Sequence, residues 1–189
     1  QTVLVNGTTF SKVTTVDAKT NTLATDLDSV SGSTIWDLTS TGFDAKQISF
    51  VGLETADSGA DGTVNGTLLA DSFEITDNQT VLVNGTTFSK VTTVDAKDNA
   101  LESDTDTVSG SNTWELDGAG FKASEITFTN FEVADSGSDG TINGSLSDDS
   151  IAITGTQTVL ANGTTFNDVT SVDAKDNALE SDTDTVSGS

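Results

Sequence analysis

The 189 residues carry 30 Asp and Glu against seven cations, all Lys, for a formal net charge of −23, and contain no Cys, His, Pro, Met or Tyr. That balance repels a phosphate backbone and an anionic membrane surface, so nucleic acid and membrane insertion are excluded while divalent cations remain plausible partners. It also removes disulfides, thiolate metal sites and imidazole general bases, and no apolar run approaches the ~18 residues of a helical membrane span.

In chain order, the first recognisable element is the phrase QTVLVNGTTFSKVTTVDAK at residues 1–19. It recurs unchanged from Gln79 and as a close variant from Gln157, a period of 78 residues. The expected organisation is repeat 1 at 1–78, repeat 2 at 79–156 and a partial repeat 3 at 157–189, continuous and without linkers. The chain opens on Gln1 with no signal peptide and stops partway through a repeat, which reads as a mature or internal window of a longer array.

Within that phrase, alternating Val and Thr lead into Asn6-Gly7, a dipeptide that tolerates positive φ and closes tight turns. Further along, Ile48-Ser49-Phe50, Phe73-Glu74-Ile75, Ile126-Thr127-Phe128 and Phe131-Glu132-Val133 alternate apolar and polar residues. They predict strands of about three to five residues with one face inward. Asn65-Gly66, Asn84-Gly85, Asn143-Gly144 and Asn162-Gly163 predict further turns, and the lack of Pro leaves each strand its full ladder of N–H groups. Residues 98–103 and 176–181 lean helical but are too short to stand alone, so loops bulging from the stack are expected there.

A fainter repeat lies inside the first. Val108-Ser109-Gly110 is followed by Trp114-Glu115-Leu116, and Ile142-Asn143-Gly144 by Ile151-Ala152-Ile153; in repeat 1 the pairs are Val30-Ser31-Gly32 with Trp36-Asp37-Leu38, and Val64-Asn65-Gly66 with Phe73-Glu74-Ile75. Such nesting favours an all-β parallel solenoid over a string of immunoglobulin-like sandwiches, which has no reason to repeat within itself. With coils near 20 residues, about four would form each repeat and advance the axis by ~19 Å.

The run from Val64, Gly66 and Asp71-Ser72-Phe73-Glu74-Ile75 into Val83-Asn84-Gly85-Thr86-Thr87-Phe88, then Val91, Val94 and Asp95-Ala96, resembles the repeat regions of giant exoproteins of the filamentous-haemagglutinin type. The biofilm-matrix adhesins exported by two-partner secretion are the members it is most similar to. The resemblance implies a right-handed parallel β-helix, export to the cell surface, and adhesion or matrix cross-linking.

The most pointed chemical motif is Asp57-Ser58-Gly59-Ala60-Asp61-Gly62, matched by Asp135-Ser136-Gly137-Ser138-Asp139-Gly140. Asp57, Asp61, Asp135 and Asp139 are candidate ligands for Ca2+, because paired carboxylates at a chain reversal suit a hard cation; the competing reading is a solvated turn. Glu102 to Asp106 and Glu180 to Asp184 are a second, weaker acidic candidate. Trp36 and Trp114 are candidate sugar platforms, but the matched half-repeats place Phe73 and Ile151 there, which points to the core. Six Asn-x-Ser/Thr sequons, at Asn6, Asn65, Asn78, Asn84, Asn143 and Asn162, are candidate glycan sites, five of them being Asn-Gly pairs followed by Thr or Ser. No catalytic or cofactor-binding residue is assigned, because every acidic cluster either recurs with the repeat or is missing from one copy.

The expected function is therefore that of an extracellular structural or adhesive fibre segment at the cell surface, not an enzyme. Its partners would be neighbouring repeats, like fibres, matrix polysaccharide or a cell surface. A calcium-stiffened stalk of sandwich beads and a sheath or surface-layer component are the alternatives.

Overall fold

The computed structural model describes residues 1–19, 27–97, 104–118, 120–175 and 183–188, and every regular element among them is a β-strand. The helical-leaning residues 98–103 and 176–181 lie outside the described residues. The chain opens with the hairpin β1 (Thr2–Val5) and β2 (Thr8–Ser11), followed by β3 (Thr15–Asp17). Next come β4 (Ser29–Ser31), β5 (Ile35–Thr39), β6 (Gly42–Ala45), β7 (Ile48–Val51) and the long β8 (Thr55–Asn65). Then follow β9 (Ser72–Asp77), β10 (Thr80–Val83) and β11 (Thr86–Asp95). The pattern recurs as β12 (Thr107–Ser109), β13 (Thr113–Asp117), β14 (Gly120–Ala123), β15 (Ile126–Thr129) and β16 (Val133–Asn143). It ends with β17 (Ser150–Gly155), β18 (Thr158–Ala161), β19 (Thr164–Asp173) and β20 (Thr185–Gly188).

These strands build a β-solenoid of stacked coils with two facing sheets. One sheet runs β4, β8, β11, β10, β9, β12, β16, β19, β18, β17, β20. The other runs β3, β7, β6, β5, β8, β11, β15, β14, β13, β16, β19. Four strands belong to both: β8, β11, β16 and β19 are 10 or 11 residues long. Each bends at mid-length, so its first half pairs in one sheet and its second half in the other, and the pairing network closes round on itself. The expectation of uniformly short strands misses these four, because a small polar break such as Ser58-Gly59-Ala60-Asp61 looks like the end of a strand.

Coil-to-coil pairing is parallel, but antiparallel meanders are threaded into the stack. β5–β6–β7 and β13–β14–β15 add strands to one sheet, and β9–β10–β11 and β17–β18–β19 add them to the other. The nested half-repeats are thereby explained. One half carries its meander in the second sheet and the other half carries it in the first. Each sheet deepens by five strands per 78-residue repeat, an axial advance of about 24 Å at the usual strand spacing, in place of the four coils and ~19 Å read from sequence. The 78/79 boundary falls in the turn between β9 and β10, inside a hydrogen-bonded hairpin, so the sandwich-bead alternative does not describe the fold.

The core fills the gap between the sheets. Trp36, Phe43, Phe73, Phe88, Trp114, Phe121, Phe128 and Phe166 are all essentially buried. Trp36 meets Phe43 edge-on at 5.5 Å and Phe88 of the facing sheet at 6.2 Å, and Trp114 repeats the contacts with Phe121 and Phe166. Such aromatic pairs add about 0.5–1.5 kcal/mol each beyond the area they bury. The core reading of both tryptophans holds, and neither is a sugar platform.

The Asn-Gly turns divide into two kinds. Asn6-Gly7, Asn84-Gly85 and Asn162-Gly163 have positive φ at both residues and close hairpins. Asn65 and Asn143 instead end long strands, and the glycine after each is needed for room: a Cβ on Gly66 would stand 2.5 Å from the Ala96 carbonyl oxygen.

Candidate acidic corners

The Asp57 to Gly62 motif is the corner at which β8 leaves one sheet for the other. Thr55, Ala56 and Asp57 pair with β4 and β11, and Thr63 to Asn65 pair with β5 and β11 beyond the bend. Gly59 and Asp61, with φ of +79° and +49°, turn the chain between these courses. Asp57 Oδ1 accepts the Gly59 N–H at 2.8 Å, and Asp135 Oδ1 accepts the Gly137 N–H at 2.8 Å. Ser58 is buried and its Oγ accepts the Trp36 indole N–H at 2.9 Å; Ser136 does the same for Trp114. The middle of the motif thus serves the core by satisfying a buried donor that would otherwise cost on the order of 1–3 kcal/mol.

The two copies of the corner differ in charge. Asp57 Oδ2 lies 2.9 Å from Lys90 Nζ on the next coil. The Gly59 N–H first, and then Lys90, hold the Asp57 carboxyl below the usual carboxylate range. The residue 78 positions after Lys90 is Asp168, so the second corner has Asp135, Asp139 and Asp168 with no lysine in the matching place. The structure brings Asp57 and Asp61 to one corner and Asp135 and Asp139 to another. Asp61 and Asp139 are exposed left-handed turn residues. Among the described residues no group of three or more carboxylates is placed to enclose a metal ion.

The opposite edge of the solenoid holds acidic groups of another kind. Asp106 is 1% exposed; its carboxylate accepts the Asp71 N–H at 2.6 Å, and its own N–H donates to Glu132 Oε2 at 2.7 Å. Asp71, also buried, accepts the Thr67 N–H at 2.6 Å and the Thr67 hydroxyl at 3.0 Å. The same links recur as Asp28 N–H to Glu54, Asp149 N–H to Asp184, and Ser145 N–H to Asp149. Glu54, Asp106, Glu132 and Asp184 thereby tie one coil to the next by accepting backbone donors at the bends, while Asp71 and Asp149 close the turns that precede them. Burial pushes the Asp106 carboxyl up to about 7, with the charges of Glu132, Asp71 and Asp104 adding and the Asp71 N–H opposing.

Of the tract Glu102 to Asp106, only Asp104, Thr105 and Asp106 are described. An Asp recurs two residues before Val-Ser as Asp28, Asp106 and Asp184, which marks the position, but only Asp106 is fully buried, and the phrase carries no signal of that. Glu180, Ser181 and Asp182 of the matching tract lie outside the described residues, as do residues 24–26 of the first copy. Asp37 pairs with Lys97 at 3.3 Å, Asp117 with Lys122 at 2.6 Å and Glu115 with Lys175 at 3.7 Å. No helix among the described residues is long and apolar enough to cross a membrane. Compared with known proteins, the chain matches no family model, and no curated sequence or solved structure is significantly similar to it.

Proposed function

We propose that this chain is a stiff segment of an extracellular adhesive fibre that attaches cells to one another, to surfaces or to matrix. The observation that carries the reading is a contrast between two copies of one phrase. Val5 and Phe10 are 45% and 50% exposed at the first coil, whereas Val83 and Phe88, the same residues in identical sequence, are 1% and 0% exposed. Burial here comes from the neighbouring coil, so stability accumulates along the stack as it does in other solenoids. A rod wound in this way transmits load through backbone ladders, and a charge of −23 keeps parallel rods apart at low salt.

The resemblance to filamentous-haemagglutinin-type exoproteins supports export by two-partner secretion and a place at the cell surface. Calcium bridging at Asp57, Asp61, Asp135 and Asp139 belongs to the same proposal, as the means of stiffening or bundling. The test has two arms. Electron micrographs of a multi-repeat array should show straight rods, and beads coated with the chain should be retained on cell- or polysaccharide-coated surfaces. Flexibly hinged beads in the micrographs would overturn the rod, and retention no better than that of bare beads would overturn the adhesive role.

A further inference from the structure

The tetrapeptide Val-Asn-Gly-Thr stands at residues 64–67 and again at 83–86. The neighbours of the Asn are the same in both, so any difference in its chemistry comes from the fold. When Gly follows Asn, the next backbone nitrogen reaches the side-chain carbonyl carbon with least obstruction, because glycine has no Cβ. In a folded chain the reaction also needs a free N–H on the glycine, a free side-chain amide and room for a cyclic imide.

At Asn65 all of these are withheld. The Gly66 N–H donates to the Asp95 carbonyl at 2.7 Å, and Asn65 Nδ2 donates to Asp37 Oδ1 at 2.8 Å. A Cβ on Gly66 would stand 2.5 Å from the Ala96 carbonyl oxygen and 2.9 Å from Asp71 Oδ2. The space is filled, and by oxygens that oppose loss of the amide proton. Asn143 is held likewise, with the Gly144 N–H on the Asp173 carbonyl at 2.6 Å.

At Asn84 the conditions are met. The residue is exposed at the tip between β10 and β11, and a Cβ on Gly85 would meet nothing within 4 Å. Among the described residues neither the Gly85 N–H nor the Asn84 side-chain amide has a hydrogen-bond partner. Asn162 occupies the same turn one repeat later, but its side-chain amide donates to the Gly118 carbonyl at 3.0 Å. Ring closure at Asn84 requires only that the tip beyond the Val83–Thr86 pair open, whereas at Asn65 the ladder joining β8 to β11 must break. Local fraying of a turn costs far less than separating packed strands.

We propose that Asn84 is a site of spontaneous deamidation in the folded protein, and that the fold protects Asn65 and Asn143 from the same reaction. The Gly85 nitrogen, having given up its proton to base, attacks Asn84 Cγ. The new C–N bond closes the imide, the bond from Cγ to Nδ2 breaks, and that nitrogen takes up a proton and leaves as ammonia. Water then adds to either imide carbonyl and opens the ring to aspartate or isoaspartate, so water is the only co-reactant. Both products add a carboxylate, and isoaspartate also inserts a methylene into the main chain of a two-residue turn. Beside that turn the Thr86 hydroxyl donates to the Leu53 carbonyl at 2.8 Å, and the Thr87 N–H to the Glu54 carbonyl at 2.8 Å. The change therefore falls where one coil rests on the one before it, and it accumulates with the age of the chain. This inference stands whether or not the chain belongs to an adhesive fibre.

The test incubates the intact chain in mildly alkaline buffer at physiological temperature. Tandem mass spectrometry, with fragment ions that separate the positions, follows aspartate and isoaspartate at each Asn. Position 84 should convert at least tenfold faster than position 65. In guanidinium chloride, where only the shared tetrapeptide is left to act, the two rates should come together. Equal conversion at 65 and 84 in the folded chain would overturn the proposal. So would a gap that persists in denaturant, or no product at 84 over the time in which the denatured chain reacts at both positions.

Discussion

At the scale of single residues, charge decides where the repeats differ. Lys90 and Asp57 pair at 2.9 Å with about half of each side chain exposed, while the second corner places Asp168 at the equivalent of Lys90. Asp168→Lys should rebuild the pair with Asp135. Exposed ion pairs contribute little, so the expected gain is no more than about 1 kcal/mol in urea unfolding, shrinking as salt rises.

Asp106 has a larger effect of opposite origin. Its folded pKa of about 7 stands above the ordinary carboxyl value of 3.8, so the folded state holds a proton that the unfolded chain releases. The stabilising contribution of that proton is complete below about pH 4 and is lost as pH rises through 7. Thermal melts should show this component of stability increasing as pH falls from 8 toward 4. Asp106→Asn keeps an acceptor for the Asp71 N–H without the charge. It should flatten that dependence and raise stability at pH 8 by roughly 2–4 kcal/mol, the upper end being the full linkage. A pH profile unchanged by the substitution would place the cause elsewhere. Asp57, whose pKa is lowered, acts in the other sense and only in stronger acid, where its protonation releases the Gly59 and Lys90 contacts.

At the scale of elements, the hairpin turns show what the sequence displayed and what it concealed. Asn6-Gly7, Asn84-Gly85 and Asn162-Gly163 announce tight turns because those residues accept positive φ at small cost. Lys46-Gln47 and Ser124-Glu125 make the same turn, with φ of +49° and +65°, and +49° and +61°, yet carry no turn signature. Side chains with a Cβ reach the left-handed region at about 1–2 kcal/mol per residue. Gln47→Gly and Glu125→Gly should therefore each stabilise the chain by up to about 1 kcal/mol in chemical denaturation, the flexibility of glycine in the unfolded state offsetting part of the gain. Loss of stability would mean that these side chains make contacts worth more than the backbone strain. The alternating patterns at Ile48, Phe73 and Ile126 were legible because one face of each strand is buried. The continuity of β8 and β11 through their bends was not, since a corner needs only a few small or left-handed residues and looks like the end of a strand. The acidic corners could be read as chain reversals, whereas the burial of Asp106 depends on which coil lies against it, and spacing along the chain does not say.

At the scale of the whole molecule, one sequence phrase occupies two environments, which separates local propensity from stacking. Residues 1–19 and 79–97 are identical and both form the hairpin closed by Asn-Gly, so the hairpin is a local property. What differs is the company. β10 lies against β9 and β11 against β8, whereas among the described residues β1 and β2 pair only with each other. Phe88 packs with Trp36 and Phe43 at 6.2 and 5.2 Å, while Phe10 stands half in solvent. Phe88→Ala should then cost about 3–5 kcal/mol, as expected for an aromatic removed from a close-packed core. Phe10→Ala, the same change in the same nineteen residues, should cost under about 1 kcal/mol, within the range of exposed substitutions. Equal losses in parallel denaturation curves would show that each hairpin carries its own stability, and the coil-upon-coil account of the rod would fail. A wide gap between the two would locate the stability at the interfaces between coils, where a fibre under load needs it.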